Sequence, residues 1–203
     1  MKKRSISIIA AAMLVAPTAG YCFEGFSAGV NANFANGSTE ISGTILTTAT
    51  ALGVGGQNSQ FASLQGAYGF AVGKDLILTI GGTYGLGDVK SGKLTVGTSS
   101  ASIKAENIWN VYVEPGMKFG SSTLVYGKIA YTGFKGKAEV TGSTSSDVDF
   151  KGWGLGAGVR VMLNKSMYGQ VEFVQNKYDS ETRSGATYKP NTTVGTVGIG
   201  MHF

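Results

Sequence analysis

Apolar and polar side chains alternate along most of the chain beyond residue 25. The segment 152–163 shows the pattern most clearly, because its odd positions are apolar while four of its even positions are glycine. The odd positions are Trp153, Leu155, Ala157, Val159, Val161 and Leu163. Strict alternation is typical of a β-strand with one apolar face. The segment is therefore predicted to be a strand.

The same alternation recurs often enough to predict an all-β chain. It is present in eight segments: 26–34, 62–72, 76–86, 106–119, 123–132, 152–163, 167–175 and 196–203. The three short connections are 73–75, 120–122 and 164–166, and the four long ones, rich in Ser, Thr and Gly, are 35–59, 87–102, 134–148 and 177–190. Short turns at one end and long loops at the other are the layout of a membrane barrel. We predict an eight-stranded antiparallel up-and-down transmembrane β-barrel.

The aromatic residues on the apolar faces fall into two groups. Those expected near the short turns are Phe26, Phe70, Phe119 and Phe203. Those expected near the long loops are Phe34, Tyr84, Trp109, Tyr131 and Trp153. Aromatic girdles at both interfaces are typical of barrels in lipid. A soluble β-sandwich would also alternate, but it would not sort its outward aromatic residues into two belts.

The composition fits membrane strands better than a soluble domain. Charged residues make up 14% of the chain, whereas soluble domains carry about 25%. Hydrophobic residues make up 42%. Beyond the first twenty positions, however, no apolar run reaches the roughly 20 residues that a membrane-spanning helix needs.

The amino terminus has the features of a secretory signal peptide over residues 1–22. Lys2, Lys3 and Arg4 precede an apolar run at 6–16, and small residues follow. The run is too short for a membrane anchor. Cleavage after Gly20 or after Cys22 would fit the small residues there, and we favour the second site. The barrel domain is then 23–203.

Removing the signal peptide also removes most of the positive charge. The full chain has 17 basic and 12 acidic residues, and without the three basic signal residues the balance is 14 against 12, or +2. So small an excess argues against a nucleic-acid partner. The single cysteine leaves no pair for a disulfide framework.

The last strand ends on an aromatic residue, and we expect it to pair with the strand at 26–34 and close the barrel. Together with the signal peptide, the meander of strands and the segment 152–163, this ending resembles the small outer-membrane β-barrel family, which includes the opacity proteins and the OmpA/OmpX-type eight-stranded domains. The residues similar to that family's assembly signal are Thr196, Gly198, Met201 and Phe203. The resemblance implies export to the outer membrane of a Gram-negative bacterium and insertion by the barrel assembly machinery. It also implies contact with outer-membrane lipid and lipopolysaccharide, but it does not define a function.

Four charged residues fall on the predicted inward face: Glu114, Lys128, Arg160 and Glu172. The turn at 120–122 sets Glu114 opposite Lys128. The turn at 164–166 sets Arg160 opposite Gln170 and diagonal to Glu172. Since the interior of an eight-stranded barrel is just wide enough for side chains to fill, we expect an interior salt-bridge network with a structural role. The alternative is an ion gate.

The glycines at 152, 154, 156 and 158 lack the strand–turn–helix setting and the basic residue of a phosphate loop. We interpret them as room for bulky inward neighbours such as Tyr112 and Tyr126. Some barrels that the chain resembles modify lipid A with a His–Ser type pair near the outer leaflet. The only histidine here, His202, faces inward beside the short-turn end. We therefore expect no catalytic, cofactor-binding or metal-ligating residues, no cofactor, and no enzymatic activity.

The long loops carry charges of mixed sign, at Lys90, Lys93, Lys135, Lys137, Glu139, Asp147, Asp149, Asp179, Glu181 and Arg183. Loops on a rigid scaffold often carry recognition, although plainly solvated loops would look the same. We predict a structural or adhesin-like role, with a surface or host ligand bound at loops 35–59, 87–102, 134–148 and 177–190. The alternative function is a narrow pore or ion channel through the lumen. The protein is expected to be a monomer.

Overall fold

The computed structural model describes the backbone of residues 23–45, 48–49, 52–96, 99–140, 146–183 and 186–203. Side chains are described at 23–38, 58–89, 104–137, 148–182, 187 and 189–203. The expected signal peptide, 1–22, lies outside the described residues. None of the described residues forms a helix long and apolar enough to cross a membrane, a result that does not bear on crossing by strands.

The described chain is built from strands. In order these are β1 Gly25–Ile45, β2 Thr48–Ala49, β3 Leu52–Ala71, β4 Leu76–Leu86, β5 Val89–Val96, β6 Ser99–Phe119, β7 Thr123–Val140, β8 Ser146–Met162, β9 Met167–Tyr178, β10 Glu181–Arg183 and β11 Ala186–His202.

Eight of these strands form the wall of a closed barrel. Their order around the wall is β1-β3-β4-β6-β7-β8-β9-β11, with every neighbouring pair antiparallel. β11 returns to β1 in a register that sets Ala28 opposite Met201, and the Phe203 backbone N–H donates to the Phe26 carbonyl oxygen at 2.9 Å. The predicted barrel and its closure by the last strand are confirmed. Closure leaves the first and last strands without a free edge.

Solvent exposure follows the alternation of the sequence. The outward side chains of Val30 and Ile129 are 51% and 50% exposed, whereas their inward neighbours Asn31 and Lys128 are 5% and 4% exposed. Apolar residues thus cover the outside and polar residues fill the inside, the reverse of a soluble protein. This arrangement requires an apolar solvent around the barrel.

The outward aromatic residues are neighbours in two belts. Near the long hairpins, the upper belt joins the ring of Tyr131 to those of Trp109 and Trp153, with centroid distances of 5.8 Å and 5.2 Å. Near the short turns, the lower belt brings Phe26 and Phe203 to 5.9 Å. The two belts mark the upper and lower interfaces of the membrane-spanning wall.

The prediction of long loops at 35–59, 87–102, 134–148 and 177–190 is wrong in large part, because strands continue through much of these segments. β1, for example, runs from the upper-belt residue Phe34 to Ile45, roughly 35 Å of strand at about 3.3 Å per residue. Beyond the membrane both faces of a hairpin meet water, so the sequence there no longer alternates between apolar and polar. The Ser-, Thr- and Gly-rich composition therefore concealed the strands.

A β-bulge changes the face of one residue of β6. Unbroken alternation would place Glu106 on the inward face of Asn110, but the β6–β7 register shifts between Glu106 and Trp109, and Asn107 there has a positive φ of 50°. The extra residue reverses the alternation. Glu106 consequently forms an ion pair with Lys137 at 2.6 Å.

The inward glycines make room for large side chains, although not all of those predicted. A Cβ atom built at Gly158 would lie 2.5 Å from Tyr126 Oη, which confirms the expected contact for Tyr126. The expectation for Tyr112 is wrong, because its hydroxyl oxygen lies 2.5 Å from a Cβ built at Gly81. Each tyrosine lies over the glycine directly opposite it on a neighbouring strand, and β6, which carries Tyr112, is paired with β4 and not with β8.

We predict that Gly158→Ala lowers barrel stability by about 1–3 kcal/mol, because the added methyl group collides with Tyr126 and overpacks the interior. Gly127→Ala is the matched control, since the nearest atom to a Cβ there is the Gly156 carbonyl oxygen at 4.0 Å. Urea unfolding of the refolded protein in detergent micelles, followed by tryptophan fluorescence, measures both variants. Equal midpoints for the two would contradict the packing role.

Candidate functional site

The four predicted interior charges lie at one depth of the lumen, each on a different strand: Glu114 on β6, Lys128 on β7, Arg160 on β8 and Glu172 on β9. Their exposed fractions are between 1% and 7%. Alternation brings them to this depth, since each occupies an inward position of its strand. The structure thus brings all four together, and we call them the charge layer.

The charge layer is joined by three ion pairs. Lys128 Nζ lies 2.8 Å from Glu172 Oε2 and 3.3 Å from Glu114 Oε1. Arg160 Nη2 donates to Glu114 Oε2 at 3.2 Å. Glu114 therefore bridges the two cations, and the four charges sum to zero.

One predicted pairing differs from the observed one. Arg160 does lie opposite Gln170 and donates to its Oε1 from Nε at 3.2 Å. The structure gives no ion pair from Arg160 to Glu172, whose oxygen atoms accept from Lys128 instead. The register of two adjacent strands predicts only contacts between nearest neighbours. The curved wall also brings side chains of β8 and β6 together across β7.

Amide side chains extend this network around the lumen, and of these the sequence had indicated only Gln170, opposite Arg160. Gln170 Nε2 donates to Asn31 Oδ1 at 2.9 Å and to Gln65 Oε1 at 2.7 Å. From there, Asn33 Nδ2 donates to Ser63 Oγ at 2.9 Å. Inward position in an alternating strand was the available signal for these residues. The network ties β1 and β3 to β8 and β9.

Tyrosine rings enclose the cations of the charge layer. Lys128 Nζ lies 3.8 Å from the centroid of the Tyr112 ring, and Arg160 Cζ lies 5.0 Å and 5.1 Å from the rings of Tyr126 and Tyr168. Cation–π contacts of this kind strengthen when they are desolvated. Charged groups and rings together fill the middle of the barrel.

An apolar cluster lies below the charge layer, at the short-turn end. Phe23 inserts there with 5% of its surface exposed and packs with Ile77, Leu124 and Tyr126. Met162 is partly buried against the same group. Alternation carried no signal for Phe23, which precedes β1.

The remaining predicted residues lie where expected but form no reactive group. His202 is at the short-turn end, where its Nε2 is buried without a hydrogen-bond partner among the described residues. Within the part of the chain that the structure describes, no group of three or more His, Cys, Asp or Glu side chains could hold a metal ion. Of the suggested assembly signal, Thr196 is inward and donates to Asn33 Oδ1 at 2.9 Å, while Met201 is outward.

The barrel and its filled lumen match a known family. The sequence model described as the outer membrane protein beta-barrel domain matches residues 5–203. This chain belongs to the outer membrane β-barrel family. It is therefore a protein of the outer membrane of Gram-negative bacteria, with the lipid-facing surface described above. A comparison with curated protein sequences gave no match.

Several solved outer membrane barrels share the fold. Neisserial surface protein A aligns with a TM-score of 0.57 at 12% identity, covering 89% of this chain and 98% of its own. OprG from Pseudomonas aeruginosa gives 0.53 at 15%, covering 90% and 98%. Ail, the attachment invasion locus protein of Yersinia pestis, gives 0.52 at 14%, covering 89% and 99%. At these identities the likeness shows the fold alone.

Family membership indicates which end of this outer membrane barrel is periplasmic and which is extracellular. Short turns of such barrels are periplasmic and long connections are extracellular. Phe23 and His202 then lie at the periplasmic end. The extended hairpins lie at the extracellular end.

We predict that Glu114→Gln destabilises the barrel by about 3–5 kcal/mol, because Arg160 loses its anion in a buried site while Lys128 keeps Glu172. Glu106→Gln is the matched control, since its pair with Lys137 is partly exposed and surface pairs contribute about 0–1 kcal/mol. Chemical unfolding of both refolded variants in lipid nanodiscs gives the comparison. If Glu114→Gln unfolds at the wild-type midpoint, the charge layer has no structural role.

Proposed function

We propose that this outer membrane barrel is a surface-interaction protein with an adhesin-like role. The observation that carries the proposal is the length of its extracellular hairpins. β1 and β3 remain paired well beyond Phe34, as far as Ile41 opposite Leu52. β6 and β7 remain paired as far as Ala101 opposite Val140. Paired strands hold a recognition surface rigidly, so less conformational entropy is lost on binding.

The filled lumen supports the same role. The charge layer occupies the middle of the barrel, and the Phe23 cluster occupies its periplasmic end. Such an interior is poorly suited to transport. Ail, which shares the fold, is described as an attachment invasion locus protein and has been solved with the heparin analogue sucrose octasulfate. An attachment role is therefore compatible with this scaffold, and its ligand here is to be sought at the hairpins.

We infer further that the protein is not an enzyme and acts as a monomer without a nucleic-acid partner. The single histidine is at the periplasmic end, far from any substrate in the outer leaflet. In the same proposal, residues 1–22 are a cleaved signal peptide, the barrel assembly machinery reads the ending at 196–203, and lipopolysaccharide surrounds the upper belt.

Trimming the β1–β3 hairpin tests the adhesin-like role. Gly37 lies opposite Gln57 in the register, so a two-residue Asn-Gly turn can replace 38–56 without disturbing the wall below. We expect bacteria that display the trimmed chain to bind cultured host-cell monolayers no better than bacteria without the protein. Replacing the periplasmic turn 164–166 is the control and should leave binding unchanged. Full binding by the trimmed chain would contradict a role for this hairpin.

Conductance across a planar bilayer tests the alternative pore. The pore remains the second candidate because charged side chains line the middle of the lumen. We expect the wild-type barrel to give no stable unit openings, because ion-paired side chains fill its middle. Stable openings whose size changes in Arg160→Ala would contradict the surface role and favour a channel through the charge layer.

A further inference from the structure

Above the charge layer, the chemistry of the inward side chains changes at each step of two residues along a strand. Moving outward from the charge layer, β6 presents Tyr112, Asn110 and then Ile108 to the interior. β7 presents Ala130, Thr132 and then Phe134. Beyond Tyr112 and Ala130, both strands pass from an uncharged polar group to an apolar one. The mouth of a simple water-filled lumen would not require apolar side chains at this depth.

A cavity of about 100 Å³ lies between these levels. Lys128 and Glu172 form its floor, and amide and hydroxyl side chains form a polar collar around it. The collar residues are Asn33, Ser63, Thr83, Asn110, Thr132 and Asn176. Because the floor charges already neutralise one another, a charged occupant would find no free counter-ion and would lose its hydration without compensation.

An apolar level surrounds the cavity above the collar. Phe61 and Ile108 both lie close to Gly85, at 3.5 Å and 3.2 Å from a Cβ atom built there. Phe134 meets the ring of Tyr178 edge-on at 4.9 Å. Ile108 follows the alternation of Asn110 and Tyr112, and the register shift of β6 against β7 begins just beyond it, between Glu106 and Trp109. Aromatic and aliphatic walls with a few convergent polar groups are the composition of small-molecule sites.

One polar group of the collar is left without a partner. Asn110 Nδ2 donates to Thr83 Oγ1 at 2.6 Å, while Asn110 Oδ1 is buried and has no hydrogen-bond partner among the described residues. A buried amide atom without a partner has lost its hydration and gained no hydrogen bond in return. A ligand hydroxyl would satisfy it whichever way round the amide group sits, because a hydroxyl both donates and accepts.

We propose that this cavity binds a small neutral alcohol or phenol, with its hydroxyl on Asn110 and its apolar body against Phe61, Ile108 and Phe134. The volume sets the size limit. A cavity of about 150 Å³ holds benzene. This one is smaller but partly open, so it takes at most a single ring or a short alkyl chain with one end toward the opening. The site is independent of any partner bound at the extracellular hairpins.

The test uses 4-fluorophenol as the probe and ¹⁹F NMR on the refolded barrel in lipid nanodiscs, with empty nanodiscs as the partition blank. Saturable binding above the blank is expected. Ile108→Trp fills the cavity and should abolish it. Val111→Trp on the same strand faces lipid and should leave it unchanged. Heat-dependent gel mobility verifies that each variant is folded.

Asn110→Leu keeps the branched shape of the side chain and removes the amide, so it tests the hydroxyl, with fluorobenzene as the control for the larger methyl groups. We expect it to weaken 4-fluorophenol binding about fivefold, the equivalent of one ordinary hydrogen bond, and to leave fluorobenzene binding unchanged. Probe signals that match empty nanodiscs, or equal binding by folded Ile108→Trp, would overturn the site. Equal loss of both probes in Asn110→Leu would overturn the role of the hydroxyl.

Discussion

Pairing of β11 with β1 is the interaction on which the rest of this structure depends. In hydrocarbon no water is available to the backbone N–H and C=O groups of a strand, so a sheet that crosses a membrane must close on itself. Closure with eight strands also fixes the width of the lumen at about the reach of side chains. Polar residues on the inward face can therefore find side-chain partners only inside the barrel. The bridge from Glu114 to Lys128 and Arg160 is a consequence of that narrow interior.

The two ends of the barrel differ in how side chains fill the narrow lumen. Toward the periplasm, Phe23 adds an apolar layer beneath the charges, and the interior there is packed. Toward the outside, small residues such as Thr132 and Asn110 stand where larger side chains would fill the space, and a cavity remains. Since the middle is filled and neutral, the scaffold contributes rigidity, and the parts free to vary in chemistry are the cavity and the hairpins above it.

The sequence predicted the wall well, because each membrane strand has one face in lipid and one face inside, and this contrast produces a period of two. Glu114, Lys128, Arg160 and Glu172 were assigned to the lumen on that basis. Beyond the upper belt the contrast disappears, so the paired hairpins were mistaken for loops. The outward position of Glu106 could not be read either, because one extra residue at Asn107 reverses the alternation without changing the composition.

The partners within the charge layer were harder to predict than its members. Register fixes which residues lie side by side on adjacent strands, and it set Arg160 opposite Gln170. It does not give distances across a curved wall, and there Arg160 reaches Glu114 on β6. The curvature also decides what a solute entering from outside would meet: a floor whose charges already neutralise one another, with packed Phe23 beneath it. These two features support the proposed binding of a small neutral molecule above the floor.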